Sequence, residues 1–492
     1  MNVVVDTRED ISLEALRQVA FDGERARFSD RAMKHIELAH EAFERYVSTH
    51  SDAFIYGVTS GLGPHAASRR TPAEMVERAR VRRRSWGPFG GPLLPEYVSR
   101  AAVFAALSSI VSGHAALHPD AAQAVTHLLD GPLPRLPSRG LTAAGELMPN
   151  SVLRAALPLD EHIAAGWGFH TEAGMVGIAA LLARRRLDLA HKAFALSIEA
   201  FSAPLDAYDP SLAAIWSDPY EAKALGALHS LLEGAHAPRR PYQAPISYRV
   251  LPRVLGQAER AVAALEEVAR IALRSDNCNP AFLMPEAQFP FGRTLHNGGF
   301  HNASAAPALD AIVACWANLG AIAHRHAVKM HRGSVSLLPD QLVPEGADLA
   351  SGPSTSYMEY VPTGFVEEMR RLAQPTLIPT ADIAASQQDD LAITTPLAFV
   401  NERRVAECFD ATLAVLCGVA SQALHLVQRS APPRLGRFLE AVREIAPPIE
   451  SHRALNEDFS RLSDAFSQAV EFQRSPFGDG SADSSSTAGH ES

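Results

Sequence analysis

"HTEAGMVGIAALLARRRLDLAHKAFALSIEAF", residues 170–201, runs over thirty residues without a proline. Its apolar residues recur at helical spacing, which predicts one long helix. Three later stretches read the same way. "GQAERAVAALEEVARIALRS" (256–275) carries a wide apolar stripe, and "PALDAIVACWANLGAIAHRHAVKMH" (307–331) and "PLAFVNERRVAECFDATLAVLCGVASQALHLVQRS" (396–430) are longer still. Alternation of β-branched residues is almost absent, and no internal repeat is found. The fold class is therefore mostly α, with a core of long packed helices.

N-terminal to these helices the chain is more broken. "ISLEALRQVAF" (11–21) has helical spacing, "FIYGVTSGLGPHAA" (54–67) is a glycine-rich loop, and 95–130 is an alanine-rich helical region interrupted at His118-Pro119. The proline-rich "GPLPRLPSRG" (131–140) leads into "LTAAGELMPNS" (141–151). The expected organisation is an α-rich domain with loops over 1–205, a long-helix bundle over 206–474, and a disordered tail over 475–492, which is small, polar and free of Lys and Arg.

The 492 residues are 47% hydrophobic and 20% charged, with net charge −10. That balance suits a large globular core and argues against nucleic acid or anionic membrane surfaces as partners. The short basic run "RARVRRRSWG" (78–87) reads as a solvated or ion-paired helix face, with a local anion site as the alternative. The most apolar window, 411–427, contains Ser, Gln and His and reads as a buried bundle helix rather than a membrane span. The N-terminus lacks a signal-peptide layout. Cys278, Cys315, Cys408 and Cys417 show no metal-type pairing. Buried reduced thiols and a cytoplasmic location are expected. His324, His326 and His331 do not share a helix face in a ligand pattern, so no metal is expected. No nucleophile elbow, P-loop or dinucleotide fingerprint occurs.

Seven short segments resemble, in one order, those of the histidine, phenylalanine and tyrosine ammonia-lyases and related aminomutases. "YGVTSGLG" (56–63) is similar to Tyr-Gly-Val-x-Thr-Gly-Phe-Gly, and "LTAAGELMP" (141–149) to the segment holding Ala-Ser-Gly-Asp-Leu-x-Pro. "ALSIEAF" (195–201) resembles Ser-Leu-Glu-Ala, and "QAPISYRVLPRVLG" (243–256) resembles Gln-Asp-x-Tyr-Ser-x-Arg-x-x-Pro-Gln-Val-x-Gly. "RSDNCNP" (274–280), "GGFHN" (298–302) and "LIPTADIAASQQDDLA" (377–392) follow, the last resembling the stretch with Asn-Gln-Glu-Asp-His. The resemblance implies homotetramers whose sites draw loops from three chains. It also implies an electrophile, 4-methylidene-imidazol-5-one, made when Ala-Ser-Gly cyclises and its serine loses water.

The residues at those positions depart from the pattern. The triad is Ala143-Ala144-Gly145, and Ala144 has no hydroxyl to lose. The family's Asn-Gly-Thr falls loosely on Val176-Gly177-Ile178, its Tyr of Tyr-Ser-x-Arg on Ile246, its Asn before Phe-His on Gly299, its His on Leu391, and its Glu on Asp389. What persists is selective. Tyr56 keeps the place of the general base, and Asp389 that of a shortened acid or base. Arg249 keeps the place that grips a substrate carboxylate, for which a planar fork is suited. Gln243, Ser247, Phe300 and Gln388 also match, while Ser85 and Trp86 align with the selectivity pair and would give a flat apolar wall. Each has a plainer reading as a packed or ion-paired structural residue.

Three functions follow as expectations. The first is an enzyme of lyase or isomerase type without the electrophile and with no cofactor. It would run elimination, isomerisation or cyclisation by proton transfer on a small carboxylate-bearing substrate, a change that suits specialised metabolism. The second is a non-catalytic relative that binds a ligand or assembles with an intact paralogue. The third is an ordinary aromatic amino-acid ammonia-lyase or aminomutase.

Overall fold

The computed structural model describes residues 2–71, 73–75, 77, 87–157, 167–344, 346, 354–377, 389–450 and 453–477. In chain order its main elements are β1 (Asn2–Val5), α1 (Leu13–Ala20), β2 (Arg25–Phe28), α2 (Asp30–Thr49), α3 (Glu96–Val111), α4 (Pro119–His127), α5 (Leu147–Arg154) and α6 (Thr171–Ala200). There follow α7 (Pro219–Leu231), α8 (Leu251–Arg274), β3 (Ala281–Leu283), β4 (Arg293–Leu295), α9 (Ala305–Met330), α10 (Val361–Leu372), α11 (Thr395–Leu426), α12 (Gly436–Ile445) and α13 (Leu455–Val470). The mostly-α reading holds. Among the described residues the strands make only a parallel β1–β2 pair, with Val3 opposite Ala26, and an antiparallel β3–β4 pair.

Local chemistry accounts for the helix starts. Ser12 and Ser29 accept the N–H groups of Ala15 and Ala32 at 3.2 and 3.0 Å, and Asp218 accepts from Tyr220 and Glu221. The interruption read at His118-Pro119 is the start of α4, where Pro119 takes the first turn and His118 caps it.

Contacts group the chain into two units, each assembled from three segments. The first comprises Met1–Leu181, Ala264–Leu309 and Pro375–Val400, and the second Leu182–Ala263, Asp310–Gln374 and Asn401–Ser492. The division at residue 205 read from the sequence is linear, whereas this grouping by contacts is interleaved.

In the first unit α3 is the centre. Fourteen of its residues are buried, polar ones included. Its buried Arg100 donates to the carbonyls of Val19, Leu129 and Glu24 at 2.7, 3.3 and 3.0 Å, so three segments converge on one guanidinium. Helix α6 crosses α3 so closely that a Cβ at Gly174 would stand 2.7 Å from the Ala102 nitrogen, and only glycine permits the approach.

In the second unit Arg186 forms a buried two-pronged pair with Asp410, at 2.8 and 3.1 Å, and Trp316 donates to the neighbouring Glu402. Tyr248 stacks on His326 and Phe201 with ring centroids 3.5 and 4.3 Å apart. Ser475 and Phe477, at the start of the stretch read as a tail, are packed. Ser475 donates to Ala465, and Phe477 lies against Phe438 and Phe466. Residues 478–492 lie outside the described residues.

Helices α9 and α11 are long and apolar enough, by length and composition, to cross a membrane. Their most apolar windows are 67% and 83% buried within the protein, as core helices are. All four cysteines are buried and free.

Candidate functional site

The first unit gathers most of the singled-out segments. The loop bearing Tyr56 is fastened at both ends of that residue: its N–H donates to His296 Nε2 at 3.1 Å, and its hydroxyl accepts the N–H of Gly63 at 3.0 Å. Tyr56 is half-buried, and among the described residues its hydroxyl proton meets no acceptor.

The segment 143–145 is held by its own backbone. The Ala143 carbonyl accepts from the Ile393 N–H at 2.9 Å, which ties it to the stretch holding Asp389. Gly145 has φ +59°, a left-handed conformation, and a Cβ there would lie 3.1 Å from Cδ2 of Phe300. The geometry thus joins the triad segment, Phe300 and the 389–393 stretch. Asp389 is half-buried and Leu391 is 61% exposed.

Directly behind the triad lies a pair of acids that sequence reasoning missed. Glu146 and Glu172 are 6% and 4% exposed. Glu146 accepts the backbone N–H of Glu172 in the first turn of α6 and, at 2.8 Å, the amide N–H of Asn277. Glu172 accepts the Asn302 N–H at 3.3 Å and the Thr395 hydroxyl. Burial pushes Glu172 up to about 7, and burial together with the neighbouring Glu172 charge raises Glu146 well above the carboxylate range. One of the two was findable, because Glu146 follows the triad where the family has an Asp. Glu172 was not, since 26 residues separate them.

Nearby, Asp276 is opposed by burial yet held down to about 2 by His114, whose Nδ1 is 2.8 Å away, and by the Cys278 N–H. Burial drives His170 down to about 4, so it is neutral at physiological pH.

The second unit carries Gln243 and Arg249, both exposed. Arg249 Nε donates to the Ala244 carbonyl at 2.9 Å, and no carboxylate pairs with it among the described residues. The guanidinium therefore remains available to an anion. Ile246 is 66% exposed, and the Tyr248 two places on does not replace the missing tyrosine. Its ring is wholly buried in the stack with His326 and Phe201, and burial raises its phenol. Ser85, Trp86 and Gln388 lie outside the described residues. His324, His326 and His331 bond to the Glu359 carbonyl, the Ser197 hydroxyl and the Thr355 hydroxyl, and His331 also lies 3.5 Å from the Glu359 carboxylate. No cluster of three or more metal-ligating side chains occurs among the described residues.

Comparison with known proteins covers nearly the whole chain. The model of the family described as aromatic amino acid lyase matches residues 11–164 and 159–444. A histidine ammonia-lyase of Aromatoleum aromaticum is 26% identical over 98% of both chains, and an MIO-dependent tyrosine 2,3-aminomutase of Streptomyces globisporus is 26% identical over 95% of both. Among solved structures, the Pantoea agglomerans phenylalanine aminomutase superposes with a TM-score of 0.84 at 16% identity, covering 95% of this chain and 99% of its own. An ergothionase from Treponema denticola superposes with a TM-score of 0.81 at 18% identity, covering 96% and 99%. These structures share the fold.

Proposed function

The chain belongs to the aromatic amino acid lyase family, and on that premise we propose that it is an enzyme of lyase or isomerase type that works without a methylidene-imidazolone. Its substrate is a small carboxylate-bearing molecule, and its chemistry is proton transfer leading to elimination, isomerisation or cyclisation. The observation that carries this is Ala144. A triad of Ala143-Ala144-Gly145 offers no hydroxyl to leave, so the residues present do not fit the electrophile. Supporting substitutions lie at Ile246, Gly299 and Leu391, where side chains that would serve an amine or the electrophile are absent.

The retained groups define the remaining chemistry. Arg249 pairs with the substrate carboxylate through both prongs of its guanidinium. Tyr56 moves the proton, with Asp389 as a second acid or base. Proton transfer of this kind supplies roughly 10²–10⁴-fold, so the substrate is more activated than a free amino acid, and a conjugated acid fits.

Intact mass spectrometry tests the premise directly. The expected mass is that of the encoded chain, whereas loss of two waters with a new near-ultraviolet band would restore the ordinary lyase reading. Ammonia release from Phe, Tyr or His would do the same. With a turned-over conjugated acid in hand, Tyr56→Phe is expected to lower kcat by about 10²-fold or more. An unchanged rate in a folded variant would move the protein to the non-catalytic, ligand-binding class.

A further inference from the structure

We propose that Glu146 and Glu172 keep at least one proton between them at neutral pH, and that this retained proton positions the 143–145 segment against the segments bearing Phe300 and Ile393. The positioning role rests on the reading of 143–145 as part of the site.

The geometry leads to it. Both side chains are more than nine-tenths buried, yet the hydrogen bonds their oxygens accept from the described residues come from neutral donors: two backbone N–H groups, one amide and one hydroxyl. Neither forms a salt bridge among the described residues. The charged and titratable neighbours do not help. His170, beside Glu172 in the chain, is neutral, and Asp276, beside Asn277, is an anion already committed to His114. Asp389 and Asp390, a few residues before Thr395, are acids as well. Two anions in so dry a place, with only dipoles around them, cannot both persist. One proton removes the conflict, as in other paired carboxylates.

The pair also reaches the three segments that meet around 143–145. Glu146 directly follows Gly145. Glu172 reaches Asn302, two residues past Phe300. Thr395 lies two residues past Ile393, whose N–H holds the Ala143 carbonyl. Removing the proton places a second negative charge at the point where these segments meet. Because Glu172 is raised in the folded protein, its contribution to stability is complete below about pH 4.5 and is lost as pH rises through about 7.

The test uses the full chain and does not depend on turnover, so failure of the catalytic reading leaves it intact. Melting temperature is followed from pH 5 to 9 for the native protein, Glu172→Gln and Glu146→Gln. Glutamine keeps an acceptor and remains neutral. The native protein is expected to lose stability relative to either variant as pH rises, with a midpoint near 7. Parallel profiles, or a difference that grows toward acid, would overturn the proposal. Should neither variant fold, infrared spectroscopy of the native protein decides. A protonated-carboxyl band buried from exchange is expected at pH 6 and to be weaker at pH 9, and its absence at pH 6 would overturn the proposal equally.

Discussion

Gly145 is the residue at which backbone and site chemistry meet. Its φ of +59° costs a substituted L-residue about 1–2 kcal/mol, and the 3.1 Å approach of Phe300 to a new Cβ adds crowding. Gly145→Ala is therefore expected to destabilise the protein by about 2 kcal/mol in urea titration. A loss below about 0.5 kcal/mol would mean that Phe300 swings aside and that its contact with the segment is incidental. Residue identity at single positions was the most legible level of the sequence. Ala144, Tyr56 and Arg249 stand out because each has a chemical capacity that can be present or absent. What the sequence concealed were partners. Nothing in "LTAAGELMP" says that Glu146 meets the first turn of a helix 26 residues on, and nothing in "ISYRV" says that Tyr248 turns inward while Arg249 turns out.

At the scale of elements, the long helices were legible because apolar periodicity persists over many turns and no proline interrupts it. Their polar interior was not. Arg186 on α6 and Asp410 on α11 read as ordinary charged residues, yet they form a buried pair. Asp410→Asn, which leaves the guanidinium only the more distant Glu402, is expected to cost about 3 kcal/mol in chemical denaturation. The triple variant Arg186→Met, Glu402→Gln and Asp410→Leu, which leaves none of these three buried charges unpaired, is expected to recover most of that loss, because apolar or neutral replacements of a buried ion cluster are often tolerated. Equal losses in the single and triple variants would show that the cluster is needed for packing rather than for mutual neutralisation. The short pairs β1–β2 and β3–β4 were missed altogether, since three- and four-residue strands leave no alternation to read.

At the scale of the whole molecule, the order of seven weak segments carried the family, while each segment alone would have been ambiguous. The same resemblance leads us to expect a homotetramer. The second unit exposes Tyr357 and Tyr360 by 82% and 65%, immediately before α10, and exposed aromatics of this kind suit a surface that another copy covers. Light scattering is expected to return four times the 52.9 kDa chain mass, and Tyr357→Ser with Tyr360→Ser to shift the population toward smaller species. A stable single-chain mass for the native protein would refute the expectation.

Arg100 has a different consequence. A guanidinium that fastens three segments through carbonyl oxygens depends on no carboxylate for its bonds. Acid dissolves joints made with Asp and Glu by neutralising one partner, but here the acceptors are peptide groups that do not titrate and the donor never gives up its charge. The first unit is thus riveted at its centre by a joint blind to acidity, a short distance along the chain from a segment whose own fastening is set by a proton.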